Sequence, residues 1–405
     1  MKHIIILGDG MADEPIAALG NKTPLQAAVK PTIDKIAALG QNGLLDTIPE
    51  GFLPGSEIAN LSVLGYNVAE VFEGRGSLEA ASMSIPINEG EMAMRCNLIC
   101  IENEKIKNHS AGHISNEEAA ELIAFLNKEL GNDIIKFYPG VSYRHLLVMK
   151  GGNKQLVCTP PHDVPGTPFR DVMITVRLCS LTAEAQMTAD ILNDLTLRSQ
   201  QLLENHPVNL KRKAAGKDPA NSIWLWSPGY KPKMKTMPEI FGFKSGKVIS
   251  AVDLIKGIGV YAGLQPIEVE GATGLYDTNY EGKAQAAIEA LRNNDFVFLH
   301  IEASDEAGHE GNVDLKVKTI EYLDQRIVKP IFEELQTWDE PVAIAILPDH
   351  PTPCALRTHT SNAVPFIIYK KGAQPDNVQQ YDEISAQKGV FGTLKGSEFI
   401  REFLK

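Results

Sequence analysis

Residues 295–309 read Asp295-Phe-Val-Phe-Leu-His-Ile-Glu-Ala-Ser-Asp-Glu-Ala-Gly-His309, an apolar run followed at once by a polar segment. An apolar run without alternation is typical of a strand that is covered on both faces of a sheet. Asp305 and His309 are four positions apart, which would place both side chains on one face of a helix. The stretch therefore predicts a buried strand that ends beside a pair of residues able to share one metal ion.

Other apolar runs along the chain have the same character, at residues 2–8, 342–347 and 365–369. Amphipathic segments that predict helices lie at 278–292 and 313–336. Strands that alternate with helices predict an α/β fold with a doubly wound, mainly parallel sheet. In such sheets ligands bind at the carboxyl ends of the strands.

The middle of the chain has a different pattern. From about residue 70 to 215, strand-like segments follow one another quickly, and we expect a separate α+β module there. Residues 206–221 are polar and rich in Pro, Gly and Lys, as linkers are. We therefore predict a discontinuous catalytic domain, 1–68 plus 218–405, with a substrate-binding cap inserted at 69–217.

Composition narrows the classes of partner. The 405 residues carry 39 Lys and Arg against 51 Asp and Glu, a net charge of −12. Nucleic-acid binding requires a basic surface, so we expect no nucleic-acid partner. Local anion binding stays open, because a few cationic side chains can converge in one pocket. The sequence does not set the oligomeric state.

The cysteines and the apolar runs indicate in which cellular compartment the protein is expected. The chain has five cysteines and no CxxC pair, a pattern that favours reduced thiols in the cytoplasm. The N-terminal apolar run, residues 4–7, is shorter than the roughly 7–15 residues of a signal peptide. We therefore predict a cytoplasmic protein with no membrane partner.

Further clusters of metal-binding residue types follow the other predicted strands. Asp9 lies between two glycines after the first strand, and Asp349 and His350 directly follow strand 342–347. His359 comes nine residues after His350. With Asp305 and His309 these give six oxygen and nitrogen ligands, which suits two adjacent divalent cations better than one tetrahedral zinc. Each cluster taken alone could instead be a turn, a helix cap or a solvated loop.

Ser56 precedes an apolar helical stretch in Pro54-Gly-Ser-Glu-Ile-Ala-Asn-Leu-Ser-Val-Leu-Gly-Tyr66. A serine here can be an ordinary N-cap. It can also expose its hydroxyl above a helix N-terminus, where the helix dipole favours an incoming phosphoryl group. Beside a metal ion such a hydroxyl becomes a nucleophile.

The chain order of these residues resembles the alkaline phosphatase superfamily. More closely, several stretches are similar to the archaeal-type cofactor-independent phosphoglycerate mutases: residues 54–66, 206–209, 271–280 and 359–366. The resemblance spans nearly the whole chain. It implies an alkaline-phosphatase-like doubly wound domain with an inserted α+β cap.

The resemblance also implies a metal-dependent phosphoryl transferase that needs no bisphosphoglycerate. One cation would be held by Asp305, His309 and His359. The other would be held by Asp9, Ser56, Asp349 and His350. The family usually uses Mn²⁺, and sometimes Mg²⁺, Co²⁺ or Zn²⁺. Ser56 would take the phosphoryl group of 3-phosphoglycerate and return it to the other hydroxyl of glycerate, with Lys283 near the phosphate.

In this interpretation the cap must contact a small phosphorylated substrate. Its candidate residues are cationic or polar and lie in loops or short motifs: His113, Arg144, His145, His162, Asp163, Asn209 and Arg212.

Several alternatives stay open at this stage. The same metals and Ser56 would serve a homoserine kinase-like phosphotransferase, although the chain has no ATP phosphate loop. A phosphatase or a phosphopentomutase is a further alternative. A metal-binding protein with an inactive site is disfavoured, because all seven metal and nucleophile positions are filled by the expected residue types. Phosphorylation of Ser56 would separate the catalysts from that last class.

Overall fold

The computed structural model describes all 405 residues, which divide into two compact units. The first consists of residues 1–72 and 233–405, and the second of residues 73–232. The second unit therefore extends beyond the predicted end of the cap at residue 217. The reason is a strand at Ser222–Tyr230, which pairs with the long central strand of that unit.

The strands, numbered in chain order, are β1 Lys2–Gly8, β2 Gln41–Asp46, β3 Glu91–Glu102, β4 Lys105–Asn108, β5 Ile135–Tyr138, β6 Arg144–Lys150, β7 Leu156–Val157, β8 Thr175–Val176, β9 Ser222–Tyr230, β10 Gly246–Ile249, β11 Gln265–Pro266, β12 Phe296–Ile301, β13 Val342–Leu347, β14 Val364–Lys370 and β15 Thr393–Lys395. The α-helices are α1 Pro24–Ala27, α2 Pro31–Leu39, α3 Ser56–Val63, α4 Val68–Val71, α5 Arg75–Ser82, α6 Asn116–Glu129, α7 Ala183–Leu203, α8 Pro207–Ala214, α9 Met237–Phe241, α10 Asp253–Tyr261, α11 Tyr280–Asn293, α12 Ala303–Glu310, α13 Val313–Tyr322, α14 Lys329–Gln336 and α15 Glu398–Leu404. A π-helical turn, Leu323–Val328, joins α13 to α14.

The first unit is built on an eight-stranded sheet in the order β11-β10-β12-β1-β13-β14-β2-β15. β1 lies between β12 and β13 and is parallel to both. Leu7 is level with His300 on one side and with Leu347 on the other. The residues that follow these three strands are therefore brought to one edge of the sheet. The predicted α/β fold is confirmed, although β14 runs antiparallel to its neighbours.

Apolar side chains explain why β1 occupies the centre of the sheet. All seven of its residues are buried, and Ile4 and Ile6 belong to a core shared with α11 and α14. Burying an aliphatic side chain of this size contributes about 1.5–3 kcal/mol. None of the helices combines the length and apolarity that crossing a bilayer would need.

The second unit is an α+β layer around β3. β3 pairs antiparallel with β4, β6 and β9, and β6 pairs with β5. Apolar residues of α6 and α7 pack on this sheet in a separate core. The polar stretch predicted as a linker instead contains helix α8, whose N-cap is His206. Val208 on this helix is buried, so the Lys-rich sequence is the solvent face of an amphipathic helix.

Glu383 ties two loops of the first unit together and should make stability depend on pH. Its carboxylate accepts hydrogen bonds from the Asp13 backbone N–H at 3.1 Å and from Thr23 Oγ1 at 2.7 Å. Burial raises the pKa of Glu383 to about 7. The folded protein therefore holds this proton more tightly than the unfolded chain, and the stability it contributes is lost as pH rises toward 7.

We predict that Glu383→Gln, which cannot lose a proton, gains stability relative to the parent as pH rises. The relative gain in unfolding free energy between about pH 5 and pH 8 should reach at most about 3 kcal/mol. Chemical denaturation at both pH values measures it. The exposed Glu14→Gln serves as the control. A difference between Glu383→Gln and the parent that does not change with pH would contradict the prediction.

Candidate metal centre and nucleophile

The carboxyl ends of β1, β12 and β13 carry the predicted ligands. Asp9 follows β1, Asp349 and His350 follow β13, and α12, which begins just after β12, carries Asp305 and His309. Asp9, Asp349 and His350 are fully buried, and Asp305 is 4% exposed. The parallel register of the sheet therefore brings together residues that are more than 300 positions apart.

Asp305, His309 and His359 form one candidate cation site, with all ligand atoms within 4.8 Å of one another. His309 Nε2 lies 3.2 Å from Asp305 Oδ2, and His359 Nε2 lies 3.5 Å from Asp305 Oδ1. His309 Nδ1 is 3.0 Å from the carbonyl oxygen of Arg357, which can only accept, so Nδ1 carries a proton. Nε2 can then offer a lone pair to a cation.

His350 is the centre of the second group. Its Nε2 lies 3.2 Å from Ser56 Oγ, 3.4 Å from Asp349 Oδ2 and 3.6 Å from Asp9 Oδ1. Thr352 Oγ1 donates its proton to Asp305 Oδ1 at 2.5 Å, so it accepts from His350 Nδ1 at 3.3 Å. This assignment leaves His350 Nε2 unprotonated and directed at the other members of the group.

Backbone and amide donors fix Asp349. Its Oδ1 accepts from the backbone N–H groups of Gly10 and His350, and its Oδ2 accepts from Asn60 Nδ2 at 2.9 Å. Gly10 has a φ of +60°, and a Cβ there would come within 2.6 Å of Asp305 Oδ1. Because Gly10 has no Cβ, the loop after β1 can approach the Asp305 carboxylate closely.

Ser56 is the first residue of α3, and Gly55 occupies the N-cap position. Ser56 is therefore not the N-cap of α3. Its hydroxyl is half-buried and faces His350 Nε2. The carbonyl oxygen of Ser56 accepts from Asn60 Nδ2 at 2.8 Å, so one amide side chain binds both Ser56 and Asp349.

Crowding of acidic groups dominates the electrostatics. Burial and the nearby Asp349, Asp305 and Glu302 hold the pKa of Asp9 well above its usual range. Burial likewise raises the pKa of Glu302 to about 8. Burial opposes ionisation of Asp305 too, but hydrogen bonds from His309 and His359 hold its pKa well below the usual range.

Asp9 Oδ1 shows that the cluster suits a cation. This oxygen is buried and has no hydrogen-bond partner. A buried acceptor without a partner is costly in a folded protein, and a divalent cation would satisfy it. Carboxylate and imidazole ligands together suit Mn²⁺, Zn²⁺ and related ions. The donor set therefore fits divalent metal ions.

Sequence reasoning missed several residues that complete the site. His300 lies inside an apolar strand, and Glu302 follows that strand directly. These two residues and Asp9 form a third group whose ligand atoms lie within 4.8 Å of one another. Asn60 and Thr352 also contact the ligands. The one signal in the sequence was a histidine inside an otherwise apolar strand, which needs a partner when buried.

Lys283 is buried on α11, and its Nζ donates to the carbonyl oxygen of Thr273 at 3.2 Å. Burial lowers the pKa of Lys283 to about 8, although Glu302 favours the charged form. A buried amine with a single carbonyl partner has unused donors. It therefore differs from the exposed helix lysine that the sequence alone would also allow.

In the second unit, three of the predicted substrate ligands are used internally. The Asn209 side chain forms hydrogen bonds with the backbone of Leu203 and Ala220. The Arg212 guanidinium donates to the Glu118 carboxylate and to the carbonyl oxygens of Ala111 and Asp218. His145 is 1% exposed, and its Nδ1 accepts from the Gly140 backbone N–H at 2.9 Å. Their polar groups or ring are buried within the unit, and their role in substrate binding stays a prediction.

The other predicted ligands of the second unit are exposed: His113, Arg144, His162 and Asp163. His113 and His162 are linked by ring contacts through His109 and Tyr143. The ring of His162 also meets that of Trp226 edge to face, with the ring centroids 5.5 Å apart. Arg95 packs over Trp226, with its guanidinium carbon 4.2 Å from the ring centroid. The unit thus has exposed imidazole groups close to the buried guanidinium of Arg95.

An α/β sheet with buried carboxylates and histidines around a serine hydroxyl defines a protein that could hold metal ions and transfer a phosphoryl group. The family model described as 2,3-bisphosphoglycerate-independent phosphoglycerate mutase matches residues 37–209. The chain is 52% identical to the enzyme of that name from Methanosarcina acetivorans, over 100% of both chains. It is 45% identical to 2,3-bisphosphoglycerate-independent phosphoglycerate mutase 2 from Methanothermobacter thermautotrophicus, over 99% of this chain and 96% of the relative.

Solved structures agree with this match. A protein from Pyrococcus horikoshii has a TM-score of 0.82 at 29% identity, over 100% of this chain and 96% of that one. The cofactor-independent phosphoglycerate mutase from Thermoplasma acidophilum has a TM-score of 0.68 at 26% identity, over 100% and 99%. The chain belongs to the 2,3-bisphosphoglycerate-independent phosphoglycerate mutase family, and the resemblance inferred from its motifs is confirmed.

Cation binding at His309 should release a proton. Its hydrogen bond with Asp305 raises the pKa of His309 to about 9, so in the metal-free protein Nε2 is protonated at pH 7. A cation must displace that proton. We predict that Mn²⁺ affinity increases with pH up to about 9, by up to roughly tenfold per pH unit. Calorimetric titration in two buffers of different ionisation enthalpy would count the protons released.

The control for this measurement is His206→Gln, which changes a histidine of the second unit. It should release as many protons as the parent. Mn²⁺ binding whose enthalpy is the same in both buffers would contradict the prediction.

Proposed function

We propose that this chain is a 2,3-bisphosphoglycerate-independent phosphoglycerate mutase, which interconverts 3-phosphoglycerate and 2-phosphoglycerate through a phosphoserine at Ser56. The observation that carries the proposal is the Ser56 hydroxyl, 3.2 Å from His350 Nε2 within the cluster of buried carboxylates and histidines. Membership of the family supports the substrate, since relatives at 50–52% identity over the full chain bear this enzyme's name.

Two sets of residues would hold two divalent cations, Mn²⁺ in the first instance, with Mg²⁺, Co²⁺ or Zn²⁺ as substitutes. Asp305, His309 and His359 form the first set. The second consists of Asp9, Ser56, Asp349 and His350. When bound, the cations would neutralise charge on the phosphoryl group and lower the pKa of the Ser56 hydroxyl. No bisphosphoglycerate takes part.

Ser56 Oγ is the atom that receives the phosphoryl group. As its bond to phosphorus forms, Ser56 Oγ loses its proton, and the bond from phosphorus to the 3-oxygen of the substrate breaks. The 3-oxygen takes up a proton, and glycerate stays bound. The 2-hydroxyl of glycerate then loses its proton and attacks the phosphorus of the phosphoserine. The bond from phosphorus to Oγ breaks, and Oγ takes up a proton, which regenerates Ser56. The N-terminus of α3 favours the negative charge of the phosphoryl group during both transfers.

Lys283 and the second unit complete the proposal. The buried ammonium group of Lys283 would bind a phosphoryl oxygen. The exposed residues His113, Arg144, His162 and Asp163 would bind the hydroxyl and carboxylate groups of glycerate. Water must stay away from the phosphoserine, because water would hydrolyse it.

We infer that the second unit is the substrate-binding cap and the first unit is the catalytic domain. All five cysteines are free thiols, in keeping with the cytoplasmic location that stays a prediction.

Replacing the nucleophile tests the mechanism directly. We predict that Ser56→Ala lowers the mutase rate by at least about 10⁴-fold, because no phosphoserine can form. The fold should survive, since the hydroxyl has no role in capping α3. Ser62→Ala is the matched control: it removes a buried hydroxyl without a hydrogen-bond partner from the same helix. Near-parent activity in Ser56→Ala would sink the mechanism.

The substrate is tested by one preparation assayed in two ways. With Mn²⁺ and 3-phosphoglycerate alone, we expect 2-phosphoglycerate, detected through coupled enolase without added bisphosphoglycerate. A parallel sample with homoserine and ATP should release no ADP above background. Turnover only in the second sample would keep the metal site and Ser56 but overturn the assigned substrate.

A further inference from the structure

A chain of hydrogen bonds crosses neighbouring strands beneath Asp9. Ser250 directly follows β10, His300 lies in β12, and Asp9 directly follows β1. Ile249 is level with Leu299, so Ser250, just past the end of β10, lies beside His300 of the adjacent strand β12. Ser250, His300 and Asp9 are 4%, 1% and 0% exposed. Water therefore does not compete for the hydrogen bonds among them.

The hydrogen bonds fix the direction of the protons. Ser250 Oγ accepts from the Val252 backbone N–H at 3.0 Å and lies 3.2 Å from His300 Nδ1. His300 Nδ1 is the one acceptor within reach of the buried Ser250 hydroxyl proton, so Ser250 donates to it. His300 must then carry its proton on Nε2, which lies 2.9 Å from Asp9 Oδ2. The opposite tautomer would leave the serine proton unbonded and set a lone pair against a carboxylate.

The remaining contacts of Asp9 fix its backbone. Its N–H donates to the Ile301 carbonyl oxygen at 2.8 Å, and its own carbonyl oxygen accepts from Ser304 Oγ at 2.5 Å. With Oδ2 bound to His300, Oδ1 is the one polar atom of Asp9 without a hydrogen bond. It faces His350 Nε2 at 3.6 Å.

We propose that Ser250 and His300 are positioning residues that hold Asp9 with Oδ1 directed at the second cation site, and that His300 is a donor and not a ligand. The inference rests on the proposed metal-dependent function. His300 supplies a neutral N–H, so it binds the carboxylate without cancelling the negative charge that attracts a cation. Outer-shell donors of this kind are worth about 10–100-fold in metal affinity.

Three substitutions at one position test the geometry. The amide nitrogen of a glutamine lies close to where histidine has Nε2, and that of an asparagine close to where it has Nδ1. We expect His300→Gln to keep the hydrogen bond to Asp9 and to bind Mn²⁺ within about threefold of the parent. His300→Asn and His300→Ala should both lose about 10–100-fold in affinity.

Mn²⁺ titrated into metal-free full-length protein, followed by calorimetry, gives the affinity and the number of ions bound. His3→Gln is the matched control, a buried histidine on β1 that should leave both values unchanged. Ser250→Ala provides a second variant if His300→Ala fails to fold. It keeps the imidazole but removes the donor that sets its tautomer, and it should weaken binding by several-fold.

The outcomes separate the alternatives. Rescue by His300→Gln, with the parent's number of ions and weak binding by His300→Asn, supports the positioning role. Loss of one bound ion in His300→Gln would make His300 a ligand and overturn the inference. Equal affinity in all three variants would also overturn it. A parent that binds Mn²⁺ but does not convert 3-phosphoglycerate would refute the proposed function alone.

Discussion

The structure of the first unit depends on the burial of several carboxylates at one edge of its sheet. Asp9, Asp305 and Asp349 are almost completely enclosed, with Glu302 beside them. Such crowding is unfavourable unless each oxygen finds a donor or a cation. The chain supplies donors from backbone N–H groups, Asn60, Thr352 and the histidines, but it leaves one oxygen of Asp9 and one of Glu302 without any. The arrangement is consistent with a centre whose last stabilising charge comes from bound metal.

A buried lysine holds the loops that carry these carboxylates. Lys316, on α13, is fully enclosed, and its ammonium group contacts Asp13 Oδ2 at 2.9 Å and the carbonyl oxygens of Ala12 and Thr352. The ammonium group of Lys316 therefore binds both the loop after β1 and the loop after β13. Because Thr352 also donates to Asp305 and accepts from His350, this lysine fixes the residue that links the two candidate cation sites.

The sequence was most informative where chemistry is rare. Aspartate and histidine directly after apolar runs are costly to bury, so Asp9, Asp305 and Asp349 with their histidines could be predicted, as could the α/β fold. His300 was hidden because an apolar strand surrounds it, and only the register across β10, β12 and β1 gives it partners. The burial of Asn209 and Arg212 could not be predicted, for the opposite reason. Their residue types suit ligand binding, but whether they face solvent is decided by the packing of α8.

The discontinuity of the first unit has a consequence for synthesis on the ribosome. Strand β1 is made first, yet its neighbours β12 and β13 are made last, after the whole second unit. Gly8, the end of β1, and Phe296, the start of β12, are 288 positions apart, an interval of roughly 14–58 s at about 5–20 residues per second. Within that time residues 73–232, the whole second unit, are made. The apolar residues of β1 are therefore without their two neighbouring strands until the C-terminal half of the chain is made.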